Sequence, residues 1–497
     1  MKANGLAVCV LLLAGGLAVG PCTAAAAPPP GRSPRPNFVF ILGEGHGWSS
    51  TSIQMDDGVA DSKSTYVRTP NFEKLAQSGM RFASFYAPSP RCTPSRAALL
   101  TGKSPAQLHI TFVNEGKKDS SGSAYGKVLT PSSSTELATG ETTIAEVLQR
   151  VGYVTAHFGK WHLGRTDPSQ YGFDVSDGPT SNGGPDNVDN PHPKQLYGMT
   201  ERGMDFMTRQ VRAGRPFYLQ LSHYAARQGG DALPETVAAV KKWGGQLGER
   251  EQADAAALLD LDLAFGLVLK KLEDLGIAGN TYVIFTTDHG TPGRNPPLAG
   301  GKGTVSEGGL RVPLVIRGPG VKPGACSQVR AVGADLFPTI AELARAGQPL
   351  PKGVEGGSLA PLLSGAGHRM VKRAREEYVV HFPHYDKDPI GPASAILLDD
   401  FKLIRVYETG ARQLFNIATD PAERRDLAQQ MPGKVKELDQ RLTEYLAAMN
   451  AQMPQVNPSY SSGKAEPPQS TDRHASHDKK PDGHKAHKDR PRKKRSQ

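Results

Sequence analysis

Pro90-Arg91-Cys92-Thr93-Pro94-Ser95-Arg96-Ala97-Ala98-Leu99-Leu100-Thr101-Gly102 places one cysteine at the start of a short helix. Thr93 suits an N-cap, Pro94 the first helical position, and Gly102 a left-handed helix end. A thiol there is favoured as thiolate. Unpaired N–H groups of the first turn, the helix dipole, and the cations Arg91 and Arg96 all stabilise negative charge on Cys92. The same residues also fit a half-buried cysteine beside a helix cap, and local chemistry leaves both readings open.

Outward from this stretch, apolar runs alternate with helical ones from Arg35 onward, the pattern of an α/β sheet whose parallel strands are buried on both faces. Four runs end in polar residues. Phe38 to Leu42 leads into Gly43-Glu44-Gly45-His46, and Val154 to Phe158 into Gly159-Lys160-Trp161-His162-Leu163-Gly164. Phe217 to Leu221 leads into Ser222-His223-Tyr224-Ala225-Ala226-Arg227, and Tyr282 to Thr287 into Asp288-His289-Gly290. Open parallel sheets bind ligands at the carboxyl ends of their strands, so these distant segments are expected in one cleft. Helices are predicted over Asn71 to Gln77, Thr142 to Gln149 and Asp254 to Leu275. In the last, Leu258, Leu261, Phe265, Val268 and Leu272 recur at helical spacing and read as core. Gly300-Gly301-Lys302-Gly303 is glycine-rich enough for backbone to approach an anion, though taken alone Lys302 also fits a solvated loop.

Beyond these, Tyr378 to Gln452 reads as a strand-rich unit with short runs at Ala395 to Leu398, Phe401 to Ile404 and Gln413 to Phe415. A helix from Lys434 to Met449 follows, whose stripe of Val435, Leu438, Leu442, Tyr445 and Leu446 is expected to dock on that unit. His381 and His384 lie near a strand, either as structural groups or within reach of substrate.

Cys92-x-Pro94-Ser95-Arg96-x-x-Leu99-Leu100-Thr101-Gly102 resembles the signature of the formylglycine-dependent type I sulfatases without a mismatch. The resemblance runs from about Arg35 to Tyr460 through the Lys160, Asp288 and Lys302 segments, Asp335-Leu336-Phe337-Pro338-Thr339, and Lys402-Leu403-Ile404 to Asp420-Pro421-Ala422-Glu423. It implies an alkaline-phosphatase-like α/β fold, with a large central mixed, mostly parallel sheet sandwiched by helices and a smaller C-terminal α+β subdomain. The implied units are a catalytic domain over 35–375 and a subdomain over 376–455. It also implies that dedicated machinery oxidises Cys92 to formylglycine. The aldehyde hydrate carries two hydroxyls on one carbon. One attacks sulfur and expels the alcohol, and the other collapses the sulfate ester, whereas a plain serine or cysteine must wait for external water.

By the same resemblance Arg96 anchors the nucleophile's oxyanion, and Lys160, His162 and Lys302 bind sulfate oxygens and stabilise charge or protonate the leaving oxygen. Glu44, Asp288, His289 and converted Cys92 hold a divalent cation, usually Ca2+ in this family. Two departures stand out. Sulfatases usually carry two consecutive aspartates where this chain has Glu44-Gly45, and many carry Ala-x-His where it has Ala225-Ala226-Arg227. Arginine keeps its proton at working pH, which leaves His223 or His46 to replace the missing donor. The implied function is hydrolysis of an organic sulfate ester, a sulfated carbohydrate or aryl sulfate. Two alternatives stay open: a catalytically impaired protein that binds sulfated glycans, and a phosphatase or phosphonate hydrolase on the same fold.

The chain of 497 residues exceeds one typical core, and its 55 Gly and 40 Pro argue for many loops. Residues 1–27 read as a secretory signal, with Lys2 before an apolar run from Leu6 to Val19 and small residues at Ala24 to Ala27. Pro21 argues against lipid attachment at Cys22. No later apolar stretch is long enough for a transmembrane helix, so the expectation is a protein exported to the periplasm or medium. Four Cys are present, and Cys9 and Cys22 leave with the signal. A disulfide between the remaining Cys92 and Cys326 would block the site. Residues 456–497 read as a disordered basic tail. From Lys464 it carries eleven Lys or Arg against five acidic residues, a surplus of six within the chain's net +10. Such a tail fits either adhesion to polyanions or plain solubility, and its His474, His477, His484 and His487 specify no metal site.

Overall fold

The computed structural model describes residues 34–113, 126–182, 195–226, 231–243, 247–293, 295–347, 349–365 and 370–460. An eight-stranded sheet forms its centre. In spatial order the strands are Ala325–Ser327, Met80–Phe82, Leu314–Arg317, Thr281–Thr287, Asn37–Gly43, Phe217–Ser222, Val154–Gly159 and Val175–Ser176. Only Leu314–Arg317 runs antiparallel to its neighbours, so the described sheet is mixed and mostly parallel, as expected.

Side chains alternate across a strand, and here both faces are covered. Phe38, Phe40 and Leu42 pack with Leu99, Ile144, Leu148, Phe337 and Ile340, which come from the helices Cys92–Thr101, Ile144–Gln149 and Leu336–Leu343. Val39 and Ile41 point the other way, into Phe72, Phe206, Met207, Leu258, Phe265 and Leu272 of the helices Pro70–Ser78, Leu196–Arg212 and Glu249–Asp274. Apolar runs without alternating polar residues are what two-sided burial requires.

The helix Leu196–Arg212 escapes the sequence reading because Gly198 and Gly203 interrupt its apolar stripe. Gly203 is there for packing: a Cβ would stand 3.1 Å from Leu221 and 3.3 Å from Leu219 of the sheet beneath.

A second sheet is antiparallel, in the order Tyr378–Phe382, Ala393–Leu398, Phe401–Val406, Arg412–Asn416. One face carries Val379, Ile396, Leu403 and Leu414 against Leu438, Leu442, Tyr445 and Leu446 of the helix Pro432–Ala448, so that stripe docks as expected. The other face, with Val380, Phe382, Ala395 and Ile404, packs on Tyr86, Val305, Leu310 and Val332 of the larger body. No helix among the described residues is long and apolar enough to cross a membrane. Residues 1–33 and 461–497, which hold the expected signal and most of the expected tail, lie outside the described residues; the first residues of that expected tail are ordered instead, because Val456 pairs with Val128 and Asn457 is buried with its side chain donating to the Gly126 carbonyl at 2.8 Å.

Candidate active site

Register brings four strand ends level. Leu42 pairs with Thr286 on one side and Ser222 on the other, and Ser222 pairs with Gly159. The residues that follow, Glu44, Asp288, His223 and Lys160, therefore emerge at the same edge of the sheet. At Gly159 the backbone turns through φ 94°, where an added Cβ would collide with the Ser222 carbonyl, and Lys160 N–H bonds that carbonyl at 2.8 Å. Glycine is required for this turn, which aims Lys160 into the cleft.

Across this edge lies the helix Cys92–Thr101, wholly buried. It starts earlier than expected. Arg91 holds the N-cap position in extended conformation with no side-chain cap, so Cys92 is the first helical residue, while Gly102 closes the helix at φ 68°. Thr93 is consequently inside the first turn. Its hydroxyl, freed from capping, stands 3.3 Å from His162 Nδ1. His162 itself is left-handed at φ 58°, a conformation uncommon for a non-glycine residue and concentrated at functional sites.

Glu44 is fully buried at the centre of the cluster. Its Oε2 accepts from Lys160 Nζ at 2.9 Å and Arg96 Nη2 at 3.2 Å, and its Oε1 from Lys302 Nζ at 3.2 Å. Burial alone pushes a carboxyl up, but Lys160, Lys302 and His289 hold Glu44 well below the usual carboxylate range. Arg96 also donates to Asp288 Oδ2, from Nη2 at 2.9 Å and Nε at 3.1 Å, and to the Lys160 carbonyl at 2.6 Å. Its guanidinium thus fastens the ends of three strands together.

The Cys92 sulfur sits 3.4 Å from Glu44 Oε1 and 3.2 Å from His289 Nε2. Burial and Glu44 push this thiol up, yet Lys160, Lys302 and His289 outweigh them and hold it well below its ordinary value. No disulfide joins Cys92 to Cys326, which lies on the edge strand Ala325–Ser327 with its sulfur towards the Met55 carbonyl.

One donor atom each from Glu44, Cys92, Asp288 and His289 lies within 4.8 Å of the others, so the four expected metal ligands are brought together. Two carboxylates, an imidazole nitrogen and the atom borne by residue 92 fit a divalent cation. Gly45 offers no side-chain oxygen; its N–H donates to Asp288 Oδ1 at 3.0 Å.

The histidine expectations fare unevenly. His46 and His223 line one small cavity of about 20 Å³ with Leu196, Tyr224 and Ala226. Burial pushes His223 down to about 4, and its Nδ1 has no hydrogen-bond partner among the described residues. Arg227 lies outside the described residues. His381 and His384 are structural, against the alternative that they reach substrate. His381 is held by Ser394 Oγ at 2.7 Å and the Gln452 carbonyl at 2.9 Å, and His384 by Thr111 Oγ1 at 2.7 Å. Burial pushes them down to about 4 and about 3.

Sequence reasoning misses two further features of the site. Arg91, beside Cys92, makes a two-pronged ion pair with Asp386 of the smaller unit. Glu307, five residues after Lys302, is buried against Lys402 and Tyr86. Both pairings join segments far apart in the chain and leave no local signal.

The domain family described as Sulfatase matches residues 36–346, and that described as N-sulphoglucosamine sulphohydrolase, C-terminal, matches 301–452. The chain belongs to the sulfatase family, whose enzymatic activity is hydrolysis of sulfate esters. It is 33% identical to human arylsulfatase A over 408 residues, covering 72% of each chain. To the N-acetylgalactosamine-6-sulfatase of Canis lupus familiaris it is 32% identical, over 73% of this chain and 70% of that one. The crystal structure of Ps i-CgsB in complex with k-i-k-neocarrahexaose shares the fold, with a TM-score of 0.68 and 23% identity over 86% of this chain and 94% of that one.

Proposed function

We propose that this protein removes sulfate from a sulfated carbohydrate, with Cys92 converted to formylglycine as nucleophile. The observation that carries this is the position of residue 92 at a helix start, in contact with Glu44 and His289 and facing the cations of Arg96, Lys160 and Lys302. The name of the canine relative, a sugar sulfatase, supports a carbohydrate ester, and that of the human relative, an arylsulfatase, keeps an aryl ester beside it.

In this reading Lys160 and Lys302 exchange part of their bonding to Glu44 for the oxygens of the incoming sulfate, and stabilise the charge that grows as the ester bond breaks. His162, steadied by Thr93, the neighbour of residue 92 in the chain, would hold a sulfate oxygen or pass a proton to the leaving alcohol. Arg96 keeps Glu44 and Asp288 in place and adds its charge to the nucleophile's surroundings. Glu44, Asp288, His289 and the oxygen of converted Cys92 would hold the divalent cation, proposed as Ca2+, which when bound polarises the sulfate group. His223 is offered as the proton-relay alternative to Arg227, on the strength of its neutral, unpartnered Nδ1. The proposed units are a signal at 1–27, a catalytic domain over 35–375, a subdomain over 376–460 and a polyanion-adhering tail from 461, in an exported protein.

Gly45 favours a second reading. It supplies an N–H where an oxygen ligand would strengthen a calcium site, as expected of a protein that binds sulfated glycans without turnover. One experiment separates the two: the mass of the Cys92 peptide from protein made beside the maturation machinery, with assays on an aryl sulfate and a sulfated sugar. The expected result is formylglycine and hydrolysis. An unmodified thiol in protein that binds the sugar without turnover would overturn the enzymatic reading.

A further inference from the structure

The segment that carries Lys302 is held from both units: in the larger body Lys302 N–H bonds the Thr291 carbonyl at 2.8 Å and the Leu310 carbonyl accepts from Ala87 N–H at 2.7 Å, and the smaller unit adds contacts to its middle. Val305 N–H donates to Asp388 Oδ2 at 3.3 Å, and Glu307 N–H to Glu423 Oε2 at 2.7 Å. The Glu307 carboxylate, fully buried, accepts from Tyr86 on Oε2 at 2.8 Å and from Lys402 Nζ on Oε1 at 3.1 Å. Lys402, itself fully buried on the strand Phe401–Val406, also pairs with Glu423 Oε1 at 2.8 Å, as a charge contact whose angle misses a hydrogen bond. Towards the nucleophile, Gly303 N–H bonds the Pro90 carbonyl at 3.0 Å, and Arg91 is clamped by Asp386.

Two carboxylates and an ammonium group sealed from water are a poor way to gain stability. Desolvation costs several kcal/mol per ion, and well-packed apolar residues of equal volume often do as well or better. What such a cluster does supply is register, because each ion tolerates few positions once its partners are fixed. The register at stake is that of the residues around Glu307, and five positions upstream the Lys302 ammonium reaches Glu44.

We propose that Lys402 is a positioning residue for Lys302: through Glu307 and Glu423 it fixes the 301–310 segment, and thereby where the Lys302 ammonium stands relative to Glu44 and residue 92. The smaller unit then forms part of the catalytic apparatus without touching substrate. This rests on the reading that Lys302 binds sulfate, but the position of the segment can be tested without it.

The test is a double-mutant cycle of Lys402→Met with Lys302→Ala, read in kcat on an aryl sulfate. Glu423→Gln serves as the milder variant should Lys402→Met fail to fold. Lys402→Met is expected to lower kcat about a hundredfold in the parent, the scale of one lost charge-stabilising donor, and less than about threefold in the Lys302→Ala background. Losses that multiply instead would show that Lys402 acts on overall stability or on another group, and would overturn the proposal. Hydrogen exchange provides a second readout. Amides of 301–310 should exchange at least about tenfold faster in either variant while the strands Ala393–Leu398 and Phe401–Val406 keep their protection. Unchanged protection of 301–310 overturns the clamp, whether or not the parent hydrolyses anything. A parent that neither hydrolyses sulfate esters nor binds inorganic sulfate, with exchange raised as expected, would instead sink the functional reading and leave the clamp standing.

Discussion

Replacing Lys302 by alanine removes one of the cations bonded to Glu44 and tests the charge logic of the site directly. Its Nζ stands 3.2 Å from Glu44 Oε1, and its side chain is 12% exposed. At about 4 Å and an effective dielectric of about 20, two unit charges interact by about 4 kcal/mol. Much of that is already present when sulfate binds, because the ester carries its charge before reaction. What lowers the barrier is the charge that grows on the oxygens as the ester bond breaks. Removing a single donor aimed at such charge costs about 2.7–4 kcal/mol, or 10²–10³ in kcat. Lys302→Ala should therefore lose about 10²–10³ in kcat on an aryl sulfate, with a smaller rise in KM. The fold should survive, since Glu44 keeps Lys160 at 2.9 Å and Arg96 at 3.2 Å. A stability loss within about 2 kcal/mol by urea unfolding is expected. In protein made without maturation, Lys302 is among the groups that lower the Cys92 thiol, so the variant should alkylate more slowly with iodoacetamide at pH 7. A variant with kcat within threefold of the parent and an unaltered alkylation rate would remove Lys302 from the mechanism and refute this account of the cluster.

Acid should unfold the protein early. His157, His223, His381 and His384 are pushed down from 6.5 to about 3, 4, 4 and 3 by burial, so between pH 6.5 and those values the unfolded chain binds protons that the folded chain does not. Their contribution is complete above pH 6.5 and falls as pH drops, by up to about 2 kcal/mol per histidine at pH 5, from about 1.4 kcal/mol per unit. Urea midpoints should fall steeply between pH 7 and 5 and less steeply in His384→Gln; a flat profile would contradict neutral burial of these rings. Glu44 acts lower down: its stabilisation is present above about pH 4.5 and lost only as pH falls towards its depressed folded value. Chelation is expected to strip metal readily, because Gly45 adds no carboxylate to the donors of Glu44, Asp288, His289 and residue 92. Calorimetric titration of chelated protein with calcium, magnesium, manganese and zinc singly should show a weak calcium isotherm and recovery of turnover with the ion that binds. Undiminished activity in metal-free protein would assign the role of the ion to the cationic side chains.

The amino-acid sequence by itself determined the parallel sheet, the short helix that Gly102 ends, and the convergence of Glu44, Lys160 and Asp288. Each rests on local pattern: apolar runs of strand length, a glycine at a helix end, charged residues just past a strand. Burial on both faces makes such runs legible because most of their side chains must be apolar. The start of the catalytic helix at Cys92 rather than after Thr93 was decided by packing, since the Thr93 hydroxyl finds His162, 69 residues away, in place of a cap. Tertiary contact also decided that His381 and His384 are buried and bonded to Ser394 and Thr111. Only the folded chain brings Lys402 to Glu307, 95 residues apart, and Arg91 to Asp386, 295 apart. Pairs like these follow from how two sheets pack against one another, and charge complementarity across so long a separation has no period, spacing or composition by which a linear reading could find it.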